Sequence, residues 1–220
     1  MAARLAPALL ARAYDLLYGR LAWTYDAVAW AVSLGQWQAW GAAALPYLTG
    51  PRVLELGHGP GHMLVALAEH GFAPVGLELS PQMGRLAARR QPAAPVVRGR
   101  AQAAPFAAAR FDGALATFPT PYIVAPETAA AVFRLLRPGG RLVVVPEARL
   151  SRSGPLHALI DWLYAVTGQR WPANEDGGTR LAPWQAAFAP AGFRVSLHGV
   201  VSAGSVVTII VAERPLARNA

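Results

Sequence analysis

Between residues 52 and 147 short apolar runs alternate with longer stretches of helical period. Val53–Leu56, Val75–Leu79, Val96-Val97, Phe111–Phe118 and Arg141–Val145 are apolar at successive positions, the pattern of strands covered on both faces. Met63–His70, Gln82–Arg90 and Pro126–Leu136 separate them with the spacing of helices. Ser80-Pro81 supplies a helix start, and Arg137-Pro138-Gly139-Gly140 a stop. This alternation predicts an α/β fold with a parallel sheet and helices on both faces. Arg194–Val201 and Ser205–Glu213 then flank the turn Ser202-Ala203-Gly204, which predicts a closing antiparallel pair.

Two flanks depart from the alternation. Residues 4–48 read as helical, punctuated near Gly19 and Gly35, until Pro46 and Gly50-Pro51 end them. Trp23, Trp30 and Trp37 repeat every seven residues on nearly one helix face, beside a polar stripe of Asp15, Gly19, Asp26 and Ser33. Residues 148–185 carry Trp162, Trp171 and Trp184 and the polar segment 173–180. All seven tryptophans therefore stand outside the alternating region, and both flanks read as additions to it. Residues 21–51 hold a single charge, Asp26, yet Gly35, Gln36, Gln38, Gly41 and Pro46 break them too often for a membrane span. The opening 13 residues do not make a signal peptide, because Pro7 interrupts the apolar run and Arg12 closes it.

The charge is lopsided: 20 basic residues, every one an Arg, against 12 acidic ones, for a net +8. With 54% hydrophobic and 15% charged residues the chain is globular, not disordered. The absence of Cys excludes disulfides, thiol nucleophiles and cysteine-bound metal. The arginines are scattered; Arg85, Arg89, Arg90 and then Arg98, Arg100 are the densest groups. Nucleic acid is therefore not expected as a partner. Peripheral contact of a cytoplasmic protein with an anionic membrane suits scattered arginines beside Trp-bearing helices better.

The chemistry concentrates at Val53-Leu54-Glu55-Leu56-Gly57-His58-Gly59-Pro60-Gly61. A strand ends there in a glycine-rich turn that opens a helix, a geometry that brings backbone close to a ligand. The spacing is G-x-G-x-G; the dinucleotide fingerprint would require a third glycine at position 62, which is His62. This disfavours an NAD(P)-dependent oxidoreductase. Glu78 ends the second strand, where a carboxylate can accept both hydroxyls of a ribose. His58 and His62 flank the turn without a third ligand at suitable spacing, so no metal is expected.

With these residues the chain resembles the class I S-adenosylmethionine-dependent methyltransferases, in particular the small-molecule branch with the ubiquinone/menaquinone-type enzymes (type 11). The family's acid-x-Gly-x-Gly-x-Gly motif is Glu55, Gly57, Gly59, Gly61, and its second-strand acid is Glu78, followed by Ser80-Pro81-Gln82-Met83. Phe111-Asp112-Gly113 and the Arg-Pro-Gly-Gly turn match as well. The resemblance implies a Rossmann-like seven-stranded sheet of order 3-2-1-4-5-7-6, with the last strand antiparallel. It implies S-adenosylmethionine as cofactor, contacted by Glu55, Gly57, His58, Gly59, Gly61, Glu78, Leu79, Met83, Ala101, Gln102, Thr117 and Phe118. It also turns the flanks into a helical lid over residues 1–49 and a substrate-side insert at 148–185 of a domain spanning 50–220. Tyr14, Tyr18 and Tyr25 would be anchors in that lid.

The chain departs from the family where an acid commonly meets adenine: it has Gly99-Arg100-Ala101-Gln102, and an Arg cannot accept a hydrogen bond. Thr117-Phe118-Pro119-Thr120-Pro121-Tyr122 lacks the Asn/Asp-Pro-Pro-aromatic signature of amino-group methylation. The implied activity is in-line methyl transfer to a small, apolar acceptor such as a quinone precursor, phenol or lipid. No single base stands out; His157, paired at i, i+4 with Asp161, and Tyr122 are the candidates. The competing expectation is a membrane-associated or non-catalytic protein that keeps the cofactor fold.

Overall fold

A computed structural model describes residues 25–150 and 181–216. Two helices, α1 (Tyr25–Ser33) and α2 (Trp37–Ala42), precede the sheet. Strands and helices then alternate as β1 (Arg52–Leu56), α3 (His62–Glu69), β2 (Ala73–Glu78), α4 (Pro81–Arg90), β3 (Val96–Arg98), β4 (Phe111–Thr117), α5 (Pro126–Leu135) and β5 (Leu136–Leu150). α6 (Ala182–Phe188), β6 (Arg194–Ser202) and β7 (Ser205–Glu213) complete the described part. The seven strands form one sheet in the order β3-β2-β1-β4-β5-β7-β6. β1 to β5 run parallel, and β7 lies antiparallel between β5 and β6.

The apolar runs of the sequence are strands because both faces of the sheet are covered. Alternate residues point to opposite sides. On one side Leu54, Leu56, Leu77, Ala114, Leu142, Val144, Ile210 and Ala212 pack with α5, Phe188 and Trp184. On the other, Val53, Leu115, Val143, Val145, Ile209 and Val211 pack with Trp40, Met63 and Leu67. Each such side chain, taken wholly from water, contributes roughly 1.5–3 kcal/mol. A one-residue slip of any central strand would exchange its two sets of contacts, so the register is strongly specified.

Local chemistry sets the element ends. Ser80 caps α4: its hydroxyl accepts from the Met83 amide at 3.2 Å, and Pro81 follows with its dihedral already helical. α5 stops at Leu135 because Leu136 is already extended (φ −76, ψ 148) and opens β5, and the Arg-Pro-Gly-Gly turn follows with Gly139 at φ +80. Arg214, beyond β7, donates at 2.7 Å to the carbonyls of Phe133 and Leu136, the otherwise open end of that helix. Asp112 opens β4 and joins two elements, accepting from the Arg52 amide at 3.0 Å and from Arg137 at 2.9 Å.

The flanks are not wholly additions. Trp184 is fully buried against Phe188, and Trp40 is buried on the opposite face. Residues 148–150 extend β5 and pair with β7. Both ends of the expected 148–185 insert thus belong to the domain core. Tyr14, Tyr18, Trp23, His157, Asp161, Trp162 and Trp171 lie outside the described residues.

Candidate active site

The strand order reverses between β1 and β4, and a cavity of about 780 Å³ opens there, beyond the carboxyl ends of the strands. Its walls come from the ends of β1, β2 and β4, the turns after them, and α2. Of the residues named from the sequence, Glu55, Gly57, His58, Gly59, Glu78, Leu79, Ala101, Gln102, Thr117, Phe118 and Tyr122 line it. Gly61 and Met83 do not. Gly61 faces α4, and Met83 is buried with its amide on Ser80.

The three loop glycines serve different needs. All have positive φ, which a glycine adopts without strain. A Cβ on Gly57 would stand 2.7 Å from the Tyr122 hydroxyl. One on Gly61 would stand 2.7 Å from Cβ of Ala87, so that glycine lets α3 and α4 approach. Around Gly59 nothing lies within 4 Å; it faces open cavity. Tyr122 itself donates to the Leu56 carbonyl at 3.0 Å, tying the segment after β4 to the end of β1.

Glu78 sits beside this loop, nearly buried. One carboxylate oxygen accepts from the Gly59 amide at 3.1 Å and the other from the Ser80 amide at 2.8 Å. Each oxygen retains a lone pair for a further donor. Two other buried groups on the wall lack partners among the described residues: Oε2 of Glu55 and Nε2 of His58. Burial, and secondarily the charge of Glu78, pushes the Glu55 carboxyl well above its ordinary range. Burial also lowers His58, against the opposing charge of Glu78. The His58 Nδ1–H donates to the Gly59 carbonyl at 2.7 Å, which leaves Nε2 as a bare acceptor. The ring has room because Gly76 lies beneath it; a Cβ there would come within 2.5 Å.

At the other end Phe118 holds φ +48, costly for an aromatic residue. That conformation sets its ring 3.9 Å from the ring of Trp37 and 6.1 Å from that of Trp40. Trp37, Gly41 and Met63 complete this apolar wall. Sequence reasoning had no signal for Gly41 and Met63 as wall residues, since they meet Phe118 only through folding. Among the described residues no three His, Asp or Glu side chains cluster to hold a metal ion. No helix there is long and apolar enough to cross a membrane.

The donor set suits a cationic, ribose-bearing ligand: a carboxylate at the end of β2, a buried carboxyl and a bare imidazole nitrogen beside a glycine loop. The family profile described as "Methyltransferase domain" matches residues 53–140, the segment that builds this loop and its walls. Together with the relatives the chain resembles, this match supports a class I small-molecule methyltransferase that uses S-adenosylmethionine. The chain is similar to a demethylmenaquinone methyltransferase of Symbiobacterium thermophilum, 28% identical over an alignment of 178 positions that covers 70% of each chain. A demethylmenaquinone methyltransferase of Mycobacterium sp. (strain KMS) is 36% identical over 132 residues, 58% of this chain and 56% of the relative. Among solved structures, a Thermotoga maritima methyltransferase, described as a possible histamine N-methyltransferase, superposes with a TM-score of 0.59 at 18% identity. It covers 84% of this chain and 92% of its own. That likeness concerns the sheet order and the methyltransferase fold.

Proposed function

We propose that this methyltransferase alkylates a small, apolar acceptor of the demethylmenaquinone kind, in the cavity between the glycine loop and the Trp37–Phe118 wall. The observation that carries the reading is the cavity itself: a glycine loop and Glu78 at one end, an aromatic wall at the other. The matched relatives support the acceptor class. S-adenosylmethionine supplies a sulfonium-activated methyl group. The chain's residues bind and align. Glu78 accepts the ribose hydroxyls on its remaining lone pairs. Glu55 and the bare His58 nitrogen face the polar parts of the cofactor. Ala101 and Gln102 flank the adenine. Thr117 and Phe118 stand where the acceptor meets the methyl carbon. Bound there, S-adenosylmethionine would give its methyl group to the acceptor and leave as S-adenosylhomocysteine, with the acceptor's proton lost to solvent, while Trp37, Met63 and Phe118 would keep the rest of the cavity dry. Tyr122, whose hydroxyl proton is engaged by the Leu56 carbonyl, supports the loop.

An apolar acceptor reaches the cavity most directly from a bilayer. We place the protein in the cytoplasm at the periphery of an anionic membrane, on the strength of its +8 charge and of Trp30, which is 66% exposed.

Calorimetry with S-adenosylmethionine and S-adenosylhomocysteine tests the cofactor site. Both should bind the wild-type protein, and Glu78→Ala should weaken each by about tenfold or more, the loss of charge-assisted hydrogen bonds. No binding by the wild-type protein would overturn the reading.

A further inference from the structure

Residues 21–51 carry one charged side chain, Asp26 on α1, and both of its oxygens are used. Oδ1 accepts from Nε2 of His62 at 2.7 Å. Oδ2 accepts from Nη2 of Arg90 at 2.7 Å. His62 is the first residue of α3, and Arg90 the last of α4. Each partner reaches onward. Donation from Nε2 leaves Nδ1 of His62 as an acceptor, and the Gln38 amide of α2 donates to it at 3.0 Å. Arg90 donates through Nη1 to the Pro60 carbonyl, between the second and third loop glycines. One carboxylate thus joins α1, α2, the glycine loop and the helices on either side of it. Gln38, Pro60 and His62 line the cavity.

We propose that Asp26 is a positioning residue, latching the N-terminal helices onto the glycine loop and so setting how long the cofactor stays bound. The proposal rests on the cofactor reading above. Partial burial alone would raise the Asp26 pKa, but the bonds from His62 and Arg90 and the charge of the Arg90 guanidinium outweigh that and hold it below its ordinary value. The three side chains are partly exposed, so the ion pairs add little to global stability. Their effect falls on local opening of the N-terminal segment, whose other side-chain hydrogen bonds to the sheet among the described residues run from Ser202 to the Ala39 carbonyl and from Ser205 to Gln36.

Hydrogen exchange and stopped-flow release of S-adenosylhomocysteine test the latch in the whole chain. In Asp26→Ala, amide exchange at residues 37–48 and 57–62 of the ligand-free protein should rise, and S-adenosylhomocysteine should leave about tenfold faster. His62→Ala should do the same, and the double variant should add little, because both changes open one network. Asp26→Glu should recover part of the retention. The urea midpoint should stay near wild type. Unchanged release, additive effects of the two substitutions, or faster exchange throughout the domain with a lowered midpoint would overturn the latch. If wild-type protein binds no S-adenosylhomocysteine, the functional reading fails instead, and the ligand-free exchange comparison alone decides whether the latch exists.

Discussion

Gly57, Gly59 and Gly61 read as one motif, yet their surroundings separate them. Gly61 has φ +88 and Ala87 backbone 2.8 Å from any added Cβ. An alanine there meets left-handed strain of about 1–2 kcal/mol and overpacking of about 1–3 kcal/mol. Gly59 has φ +53 and an empty surround, so alanine meets the strain alone. Gly61→Ala should therefore lower the urea midpoint sharply. Gly59→Ala should cost about 1–2 kcal/mol of stability and weaken cofactor binding measured by calorimetry, because its methyl enters the cavity. Equal stability losses would show that the spaces around the two glycines do not differ as described. The same scale explains His58. A buried imidazole fits in this tight glycine loop because Gly76 gives up its side-chain space to it.

Among the elements, α6 shows how a flank becomes core. Its one full-length face is aromatic, with Trp184 and Phe188 both wholly buried and their rings 6.0 Å apart. Trp184→Ala should cost about 3–5 kcal/mol by chemical denaturation, as for a large aromatic removed from a packed interior. Cofactor affinity should stay unchanged; a loss below about 1 kcal/mol would return Trp184 to the periphery. In the sequence Trp184 reads as part of a Trp-bearing insert, since a helix of 7 residues is too short for its period to reveal the buried face. The strands were legible because double-sided burial leaves uninterrupted apolar runs. The exception is β5, expected as Arg141–Val145 and observed as Leu136–Leu150: prolines, glycines and charges hide the pairing of Leu136 with Phe111 at one end and of residues 147–150 with β7 at the other. The glycine loop and Glu78 were legible through their spacing. The Asp26 network was not, since its contacts span 36 and 64 residues and depend on the fold to bring three helices together.

At the scale of the molecule, composition acts through placement. The net charge of +8 is spread over single arginines, and the exposed Trp30 sits on the helix that carries Asp26. Flotation should show the protein with phosphatidylserine vesicles at low salt and not with phosphatidylcholine vesicles. High salt should release it, and Trp30→Ala should reduce the bound fraction. Equal flotation with both lipids, or none with either, would remove the membrane from the picture. The topology carries a consequence of another kind. β7 lies inside the sheet, hydrogen-bonded on both edges, yet it is synthesised after every other strand. While a ribosome is still translating the β6–β7 turn, β5 presents an unpaired edge and β6 has no neighbour to join. The domain cannot close during most of its own translation. Until β7 emerges, that edge is open to pairing with other chains.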